Sequence, residues 1–331
     1  MSGPLVYIGG TWRSGTTLLE RMLASIPGFW SVGELVFIWD WGLKRNAHCR
    51  CGKCFRDCEF WSQVGDVAFG GWQEVDADEA TRLRAVVDRH RNLDRVAGLR
   101  PRGGLAADLT AYQDLTSRVY QAVQEVAGAS VIVDSSKTLN HALVLRTFPW
   151  LDLRLVHMVR RSHGVVHSWS KQMSKPGVGY GEDARGVVGP RSPAWAVSMW
   201  IADNLMYDVF SRRFAIATRL RYEALAADPR GQLVTLLEHL QLTAPGQALD
   251  FLDGASADLR PTHGIAGNPM LFDRAAGVSL RVDDAWRTSM SRRRQLMVST
   301  LTWPMLKRYG YSAAPEPVRG RGLEASSRPR P

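Results

Sequence analysis

The chain has 331 residues, of which 45% are hydrophobic and 22% charged, the make-up of an ordinary globular protein built as one large domain or one domain with an insert. No apolar run approaches the roughly 20 residues that cross a bilayer and no signal peptide opens the chain, so a cytoplasmic protein without a transmembrane segment is expected. The net charge is +10, with 36 arginines among 42 basic residues; this admits a nucleic-acid binder or a protein for a small, highly anionic ligand that arginine grips bidentately, and the lack of a basic, aromatic-interleaved patch argues against nucleic acid.

In chain order, Pro4 precedes "LVYIG", an apolar run ending in Gly9–Gly10, the pattern of a buried parallel strand entering a tight turn. From Thr16, Leu18, Leu19, Met22, Leu23 and Ile26 recur at helical spacing. Residues 60–128 read as a helical insert, with Leu109, Tyr112, Leu115, Val119, Val123 and Val126 on one apolar face. Strands are expected at 130–137, 153–161 and 214–225, with helices after each; Asp228 and Pro229 supply a cap and first turn for the last. Residues 174–193 are rich in glycine and proline and read as a mobile loop. Residues 194–213 return to helical spacing through Trp195, Met199, Ala202, Met206 and Val209. Residues 313–331 form a basic tail expected to be disordered, which leaves one domain over 1–312. Alternating strands and helices predict an α/β fold, a P-loop-type parallel sheet with helices on both faces. Its ligand edge, at the carboxyl ends of the strands, would gather Arg13, Lys137, Arg160 and Tyr222.

All four cysteines fall in "CRCGKCFRDC": Cys49, Cys51, Cys54 and Cys58. That is no disulfide framework. A four-thiolate zinc site would be cramped within ten residues, since such sites usually set two pairs on separated hairpins. A redox-sensitive loop, or thiols without a special role, is at least as good a reading, and no metal is expected.

The loop itself poses the chemical question. Gly10 and Gly15 stand as in G-x-x-x-x-G-K-[ST], and Thr17 fills the hydroxyl position, yet Thr16 replaces the lysine. A nucleotide triphosphatase needs that cation and a Mg²⁺ held partly by a distant Asp. Asp134, the obvious strand-end acid, is followed only by Ser-Ser-Lys, so a P-loop kinase is the weaker alternative. Backbone N–H groups at a helix start still bind an anion, and a 5′-phosphosulfate needs no metal.

At this point "RSGTT" (Arg13, Ser14, Gly15, Thr16, Thr17) resembles the 5′-phosphosulfate loop of sulfotransferases that use 3′-phosphoadenosine 5′-phosphosulfate (PAPS), in the form of the tyrosylprotein and carbohydrate branches. "HMVRRSHGVVHSW" sets Arg160 and Ser168 eight apart, as in that family's 3′-phosphate site. "RYEALAADP" is similar to its Y-E-x-L-x-x-D-P segment, whose tyrosine, Tyr222 here, lies by the adenine. The resemblance implies PAPS as donor and a hydroxyl acceptor on a glycan, lipid or secondary metabolite, with the insert and the 174–193 loop shaping the acceptor pocket. The arginine-rich, lysine-poor composition suggests a GC-rich bacterial genome. Two departures stand out. "GNPMLF" keeps Asn268, expected at the cofactor, but has Leu271 where bacterial relatives carry an arginine, leaving Arg274 or Arg281 to replace it. The cytosolic branch's histidine base would fall at Leu139. The tyrosylprotein branch instead uses a glutamate 21 residues beyond the loop arginine, and Glu34 stands there. The resemblance thus implies Glu34 as base, with Arg13 and Lys137 stabilising charge. Arg160 has a second use open to it, pairing with a carboxylate such as Asp134.

Overall fold

Along the first strand, Leu5 and Tyr7 enter one buried cluster while Val6 and Ile8 enter another. With a side-chain period of two, such a strand needs cover on both faces, and the chain supplies it. The computed structural model describes residues 3–171, 173–176, 185–254, 256–260, 262–265 and 278–312. Strand β1 (Leu5–Gly9) leads into α1 (Thr16–Ala24), then β2 (Phe29–Gly33). Helices α2 (Glu59–Phe69), α3 (Ala77–Val87), α4 (Leu93–Val96) and α5 (Ala106–Ala127) precede β3 (Val131–Lys137) and α6 (Leu139–Leu145). Next come β4 (Leu153–Val159), α7 (Ser162–Trp169), β5 (Met173–Pro176), β6 (Arg185–Val188) and α8 (Pro193–Phe210). The chain continues through β7 (Ile216–Arg221), α9 (Tyr222–Ala227), α10 (Pro229–His239), α11 (Trp286–Ser289) and α12 (Arg292–Arg308).

The central sheet has five strands in the order β2-β3-β1-β4-β7, and every pairing is parallel. This is the expected α/β architecture. One face is covered by α1 through Leu19, Met22 and Leu23 and by α10 through Leu233, Leu236 and Leu237. The other carries the insert, with Trp61 and Val64 of α2 and Leu109, Tyr112, Val119 and Val123 of α5. Each such side chain contributes about 1.5–3 kcal/mol when fully buried. Because the insert shares one continuous core with Leu5 and Tyr7, it is part of the fold and not an appended flap. Asp228 caps α10 as expected, its side chain accepting from Gly231 N at 3.0 Å.

Three elements differ from expectation. Strand β2 has no alternating pattern; it is a strand because Phe29, Trp30 and Ser31 pair with Val131, Ile132 and Val133 of β3. In α8 the helix is where the spacing puts it, but the buried stripe runs through Ala196, Trp200, Asp203, Asn204 and Tyr207, while Trp195 and Val209 are exposed. The polar members of that stripe have partners distant in sequence: His157 Nε2 donates to Asn204 Oδ1 at 3.0 Å, and Asp208 meets Arg219, Arg308 and Tyr309. Thirdly, the 174–193 stretch, read from sequence as a loop without strands, contains Ser174–Pro176 of β5 and all of β6, paired antiparallel. Residues 177–184, the segment with Asn268, Leu271 and Arg274, and the tail from 313 lie outside the described residues.

Candidate active site

The β1–α1 loop is shaped by backbone that only glycine tolerates. Gly10 has φ 138° and a Cβ there would sit 2.3 Å from the Met158 carbonyl oxygen; Gly15 has φ 92° and its Cβ would lie 2.5 Å from the Tyr222 ring. Ser14 is buried, its Oγ donating to the Thr11 carbonyl at 2.7 Å. Thr16 and Thr17, buried in the first turn of α1, point amides with no acceptor four residues back toward the loop. Such an end favours an anion. Among the described residues four non-glycines have positive φ, and two of them are Arg13 (74°) and Lys137 (70°). Backbone strain of this kind costs roughly 1–3 kcal/mol per residue and persists only where surroundings over-determine it.

Those surroundings are visible for Lys137. Its carbonyl accepts from Tyr207 Oη at 2.6 Å, and the next carbonyl, Thr138, accepts from Tyr7 Oη at 2.6 Å. The Tyr207 ring fits there because Gly9 has no side chain; a Cβ would sit 2.2 Å from Tyr207 Oη. So held, the buried Lys137 turns its Nζ to Glu34 Oε1 at 2.7 Å and to the Ser135 carbonyl at 3.0 Å, with the Trp12 ring centroid 5.2 Å away. Glu34 follows the last residue of β2, so both groups stand at the carboxyl edge. Both side chains are no more than 5% exposed. Glu34 Oε2 is buried and has no hydrogen-bond partner among the described residues.

Asp134, earlier in β3, is wholly buried. Tyr120 Oη donates to Asp134 Oδ2, Ser136 N donates to its Oδ1 at 2.6 Å, and the chain of contacts continues through His141 to Tyr112. Burial pushes Asp134 up to about 6 and His141 down to about 3. The acid that a triphosphatase would turn toward a loop-bound metal is spent inside the core.

On the other side of β1, Arg160 follows the end of β4. Its Nη1 donates to the Arg13 carbonyl at 3.1 Å and its Nη2 to Asp283 Oδ2 at 2.9 Å, so the carboxylate it meets is Asp283 and not Asp134. The guanidinium lies 4.5 Å from the Tyr222 ring centroid. Gly164, in the first turn of α7, leaves it room; a Cβ there would be 2.8 Å from Arg160 Nε. Tyr222 is the first residue of α9 rather than part of the strand, and its Oη donates to the Arg281 carbonyl at 3.3 Å. Arg281 therefore reaches this corner through its main chain. Ser168 is half-buried in the last turn of α7. Arg13 rests 5.1 Å from the Trp169 ring centroid, and burial lowers its guanidinium below the ordinary value. Thus Arg13 to Thr17, Glu34, Lys137, Arg160 and Tyr222 share one edge of the sheet. An anion cradle lies between two cationic corners, beside a carboxylate oxygen that is not yet engaged.

The Sulfotransferase family matches residues 4–246, which spans the cradle and both corners. The chain belongs to the sulfotransferase family. Similar solved structures include the sulfotransferase domain of the Synechococcus PCC 7002 olefin synthase, 17% identical with a TM-score of 0.48, over 95% of this chain and 98% of that one. The sulfotransferase domain from the curacin biosynthetic pathway is 18% identical, TM-score 0.49, over 94% and 99%. Sulfotransferase STF9 from Mycobacterium avium is 11% identical, TM-score 0.45, over 94% and 78%. No curated protein matches the chain.

Some residues that build this edge of the sheet carry no pattern in the sequence. Tyr207 and Asp283 are two. A third group braces α1 from behind: Glu20 is fully buried against Arg50, and both Ser31 Oγ and Ser135 Oγ donate to its carboxylate, the latter at 2.6 Å. Burial alone would raise the Glu20 carboxyl, but Arg50 outweighs it and the group sits below its ordinary value. The cysteines split. Cys49, Cys51 and Cys58 converge with His263, while Cys54 turns to His48, 3.9 Å away. None of the four is in a disulfide. Among the described residues no helix is long and apolar enough to cross a membrane.

Proposed function

We propose that this sulfotransferase moves the sulfuryl group of PAPS to an acceptor hydroxyl on a glycan, lipid or secondary metabolite, without a metal and in the cytoplasm. The observation that carries this reading is the Lys137–Glu34 pair, buried at the rim of the amide cradle with Glu34 Oε2 unspent. The donor brings an activated S–O bond. The Ser14–Thr17 amides and Arg13 hold its 5′-phosphosulfate, and Arg160, with Ser168 on the helix behind, takes the 3′-phosphate. Tyr222 lies along the adenine side. The Tyr222 ring packs directly on Gly15, where a Cβ would stand 2.5 Å from it, so the ring and the loop form one continuous wall for the donor to lie along.

In the transfer, Glu34 Oε2 takes the acceptor's proton as the acceptor oxygen bonds to sulfur. The bond from sulfur to the bridging oxygen breaks, and its electron pair leaves with adenosine 3′,5′-bisphosphate. Lys137 Nζ, 2.7 Å from Glu34 Oε1, faces the charge growing on that oxygen, and Arg13 shares it. Aimed donors in a site closed to water are worth more than in solution. Lys137 thus supplies from β3 the cation that Thr16 does not supply from the loop.

The test is a thermal-shift comparison of adenosine 3′,5′-bisphosphate with ATP and Mg²⁺, followed by mass-spectrometric screening of candidate acceptors for the added SO₃. Stabilisation by the bisphosphate and not by ATP is expected. Mg²⁺-dependent stabilisation by ATP alone would overturn the reading in favour of a kinase, and steeply salt-dependent stabilisation by a DNA oligomer in favour of a nucleic-acid binder.

A further inference from the structure

The cysteine segment and His263 meet beside β2, through side chains that the proposed transfer does not use. Cys51 Sγ lies 3.7 Å from Cys58 Sγ, and His263 Nδ1 lies 3.3 Å from Cys58 Sγ and 3.9 Å from Cys49 Sγ. All four ligand atoms fall within 4.8 Å of one another. Four ligands at the corners of a tetrahedron around zinc, with Zn–S of about 2.3 Å, stand about 3.8 Å apart. Three of the six separations lie within about 0.5 Å of that spacing, and all fall within 4.8 Å. We propose that Cys49, Cys51, Cys58 and His263 form a closed, structural zinc site, and that Cys54 is not a ligand.

Burial separates this from the other uses of thiols. Cys49 is 1% exposed and Cys58 0%, so neither offers sulfur to a substrate or oxidant, and a site with four protein ligands leaves no open position for catalysis. A disulfide between Cys51 and Cys58 would give His263 no reason to converge on the sulfurs. The histidine is held for the purpose. Its ring stacks parallel on Trp30, with centroids 5.6 Å apart, and lies 5.5 Å from Phe60, while its carbonyl accepts from Trp61 Nε1 at 2.6 Å. Its Nδ1 thus faces sulfur from within an aromatic wall. Cys58 also precedes the first residue of α2, where the helix end favours a thiolate.

The site has work to do in the fold. Ile265 bridges both Gly33 at the end of β2 and Cys49, Ile265 N donates to the Val32 carbonyl at 3.1 Å, and Arg50 N donates to the Gly264 carbonyl at 3.3 Å. A metal on His263 and the three thiolates would staple residues 262–265 to the strand that ends just before Glu34. It would close a loop of more than 200 residues between Cys49 and His263, adding metal bonds to the main-chain bridges, the Trp61 hydrogen bond and the Trp30 stacking that already hold residues 262–265.

The test is metal analysis of protein grown with added zinc and purified without chelator, repeated on Cys54→Ser, Cys58→Ser and His263→Ala. About one zinc per chain is expected in the wild type and in Cys54→Ser, with loss in the other two. Should those two fail to fold, cobalt exchanged into the wild type decides. Intense visible bands of tetrahedral cobalt with thiolate charge transfer support the site, as does a native protein in which a thiol reagent reaches Cys54 alone. Wild-type protein that binds neither zinc nor cobalt, an intact mass showing a Cys51–Cys58 disulfide, or zinc lost with Cys54→Ser and kept with His263→Ala would each overturn it.

Discussion

Arg160→Ala is the sharpest perturbation of the proposed donor site, because it can be read from binding without knowing the acceptor. The Arg160 guanidinium is 8% exposed and meets Asp283, whose side chain is 42% exposed and has water to turn to in exchange for a phosphate. A hydrogen bond to a charged group contributes about 1.5–3 kcal/mol, and part of that is spent displacing Asp283. The expected loss of the 3′-phosphate contact for adenosine 3′,5′-bisphosphate is about 1–2 kcal/mol, or roughly 5- to 30-fold in Kd. Truncation also removes the cation beside the Tyr222 ring and the donor to the Arg13 carbonyl, but those losses weigh on any adenosine ligand. Adenosine 5′-phosphate, which lacks the 3′ group, should therefore lose only that shared part, and the ratio of the two losses isolates the 3′-phosphate. Isothermal titration of both ligands against wild type, Arg160→Ala and Arg160→Lys supplies the numbers, with the lysine variant intermediate because it keeps charge without the fork. Equal losses for the two ligands would refute the assignment of Arg160.

Asp283→Asn should tighten adenosine 3′,5′-bisphosphate by roughly 2- to 5-fold, the modest gain expected when an exposed competing carboxylate is neutralised; weaker binding, by titration, would mean that Asp283 positions Arg160 instead. Glu34→Gln should leave bisphosphate binding unchanged and cut steady-state turnover by about 10²–10⁴-fold, and near-normal turnover removes Glu34 as base. Because Glu34→Gln also leaves the Lys137 charge buried without its partner, stability should fall; adding Lys137→Met should restore much of it without restoring turnover, as followed by urea unfolding. His157, wholly buried against Tyr207, is lowered to about 4, first by burial. The folded state then binds fewer protons than the unfolded one, so this contribution is complete above about pH 6.5 and is lost as pH falls from there to about 4. Relative to His157→Gln, the wild type should lose up to about 3 kcal/mol of unfolding free energy across that window; parallel curves would refute the buried neutral histidine.

What the sequence made legible is what one stretch of chain can encode by itself. The β1 run, the two loop glycines and the apolar spacing of α1 are local, and so are the apolar runs of β3, β4 and β7. Strand β2 is not local: "FWSVG" follows Pro27–Gly28 with neither alternation nor an apolar run, and its extended form comes from pairing with β3. The face of α8 departs from its apolar spacing for a related reason. Asp203, Asn204 and Asp208 look like solvent positions in a period, yet they meet His90, His157 and Arg308, dozens of residues away. The same separation hid Asp283 from Arg160, and 214 residues hid His263 from Cys49. Pattern reading sees spacing within a window, so it found three of the four groups in the cysteine cluster and supplied Cys54 as the fourth.

The sheet order accounts for the lysine missing from the loop. From β1 the chain crosses toward β2 on one side, while β3 passes over β1 to reach β4 on the other, so connections diverge at the β1 tip, the switch point where ligands of such sheets bind. The strands on either side of that tip are β3 and β4, and each ends in a cation, Lys137 and then Arg160. Two strand spacings separate them, about 10 Å, with the amide cradle and Arg13 between. In a P-loop with its own lysine, cation and amides serve the same phosphates from the same turn. With the cations moved to the flanking strands, charge is offered at two distant points to a ligand carrying anions at both ends, as a nucleotide with 3′- and 5′-substituents does. In the proposed transfer Lys137, its carbonyl held by Tyr207 and its Nζ paired with Glu34, would serve a leaving oxygen and a base at once, which a loop lysine bound to phosphate could not do.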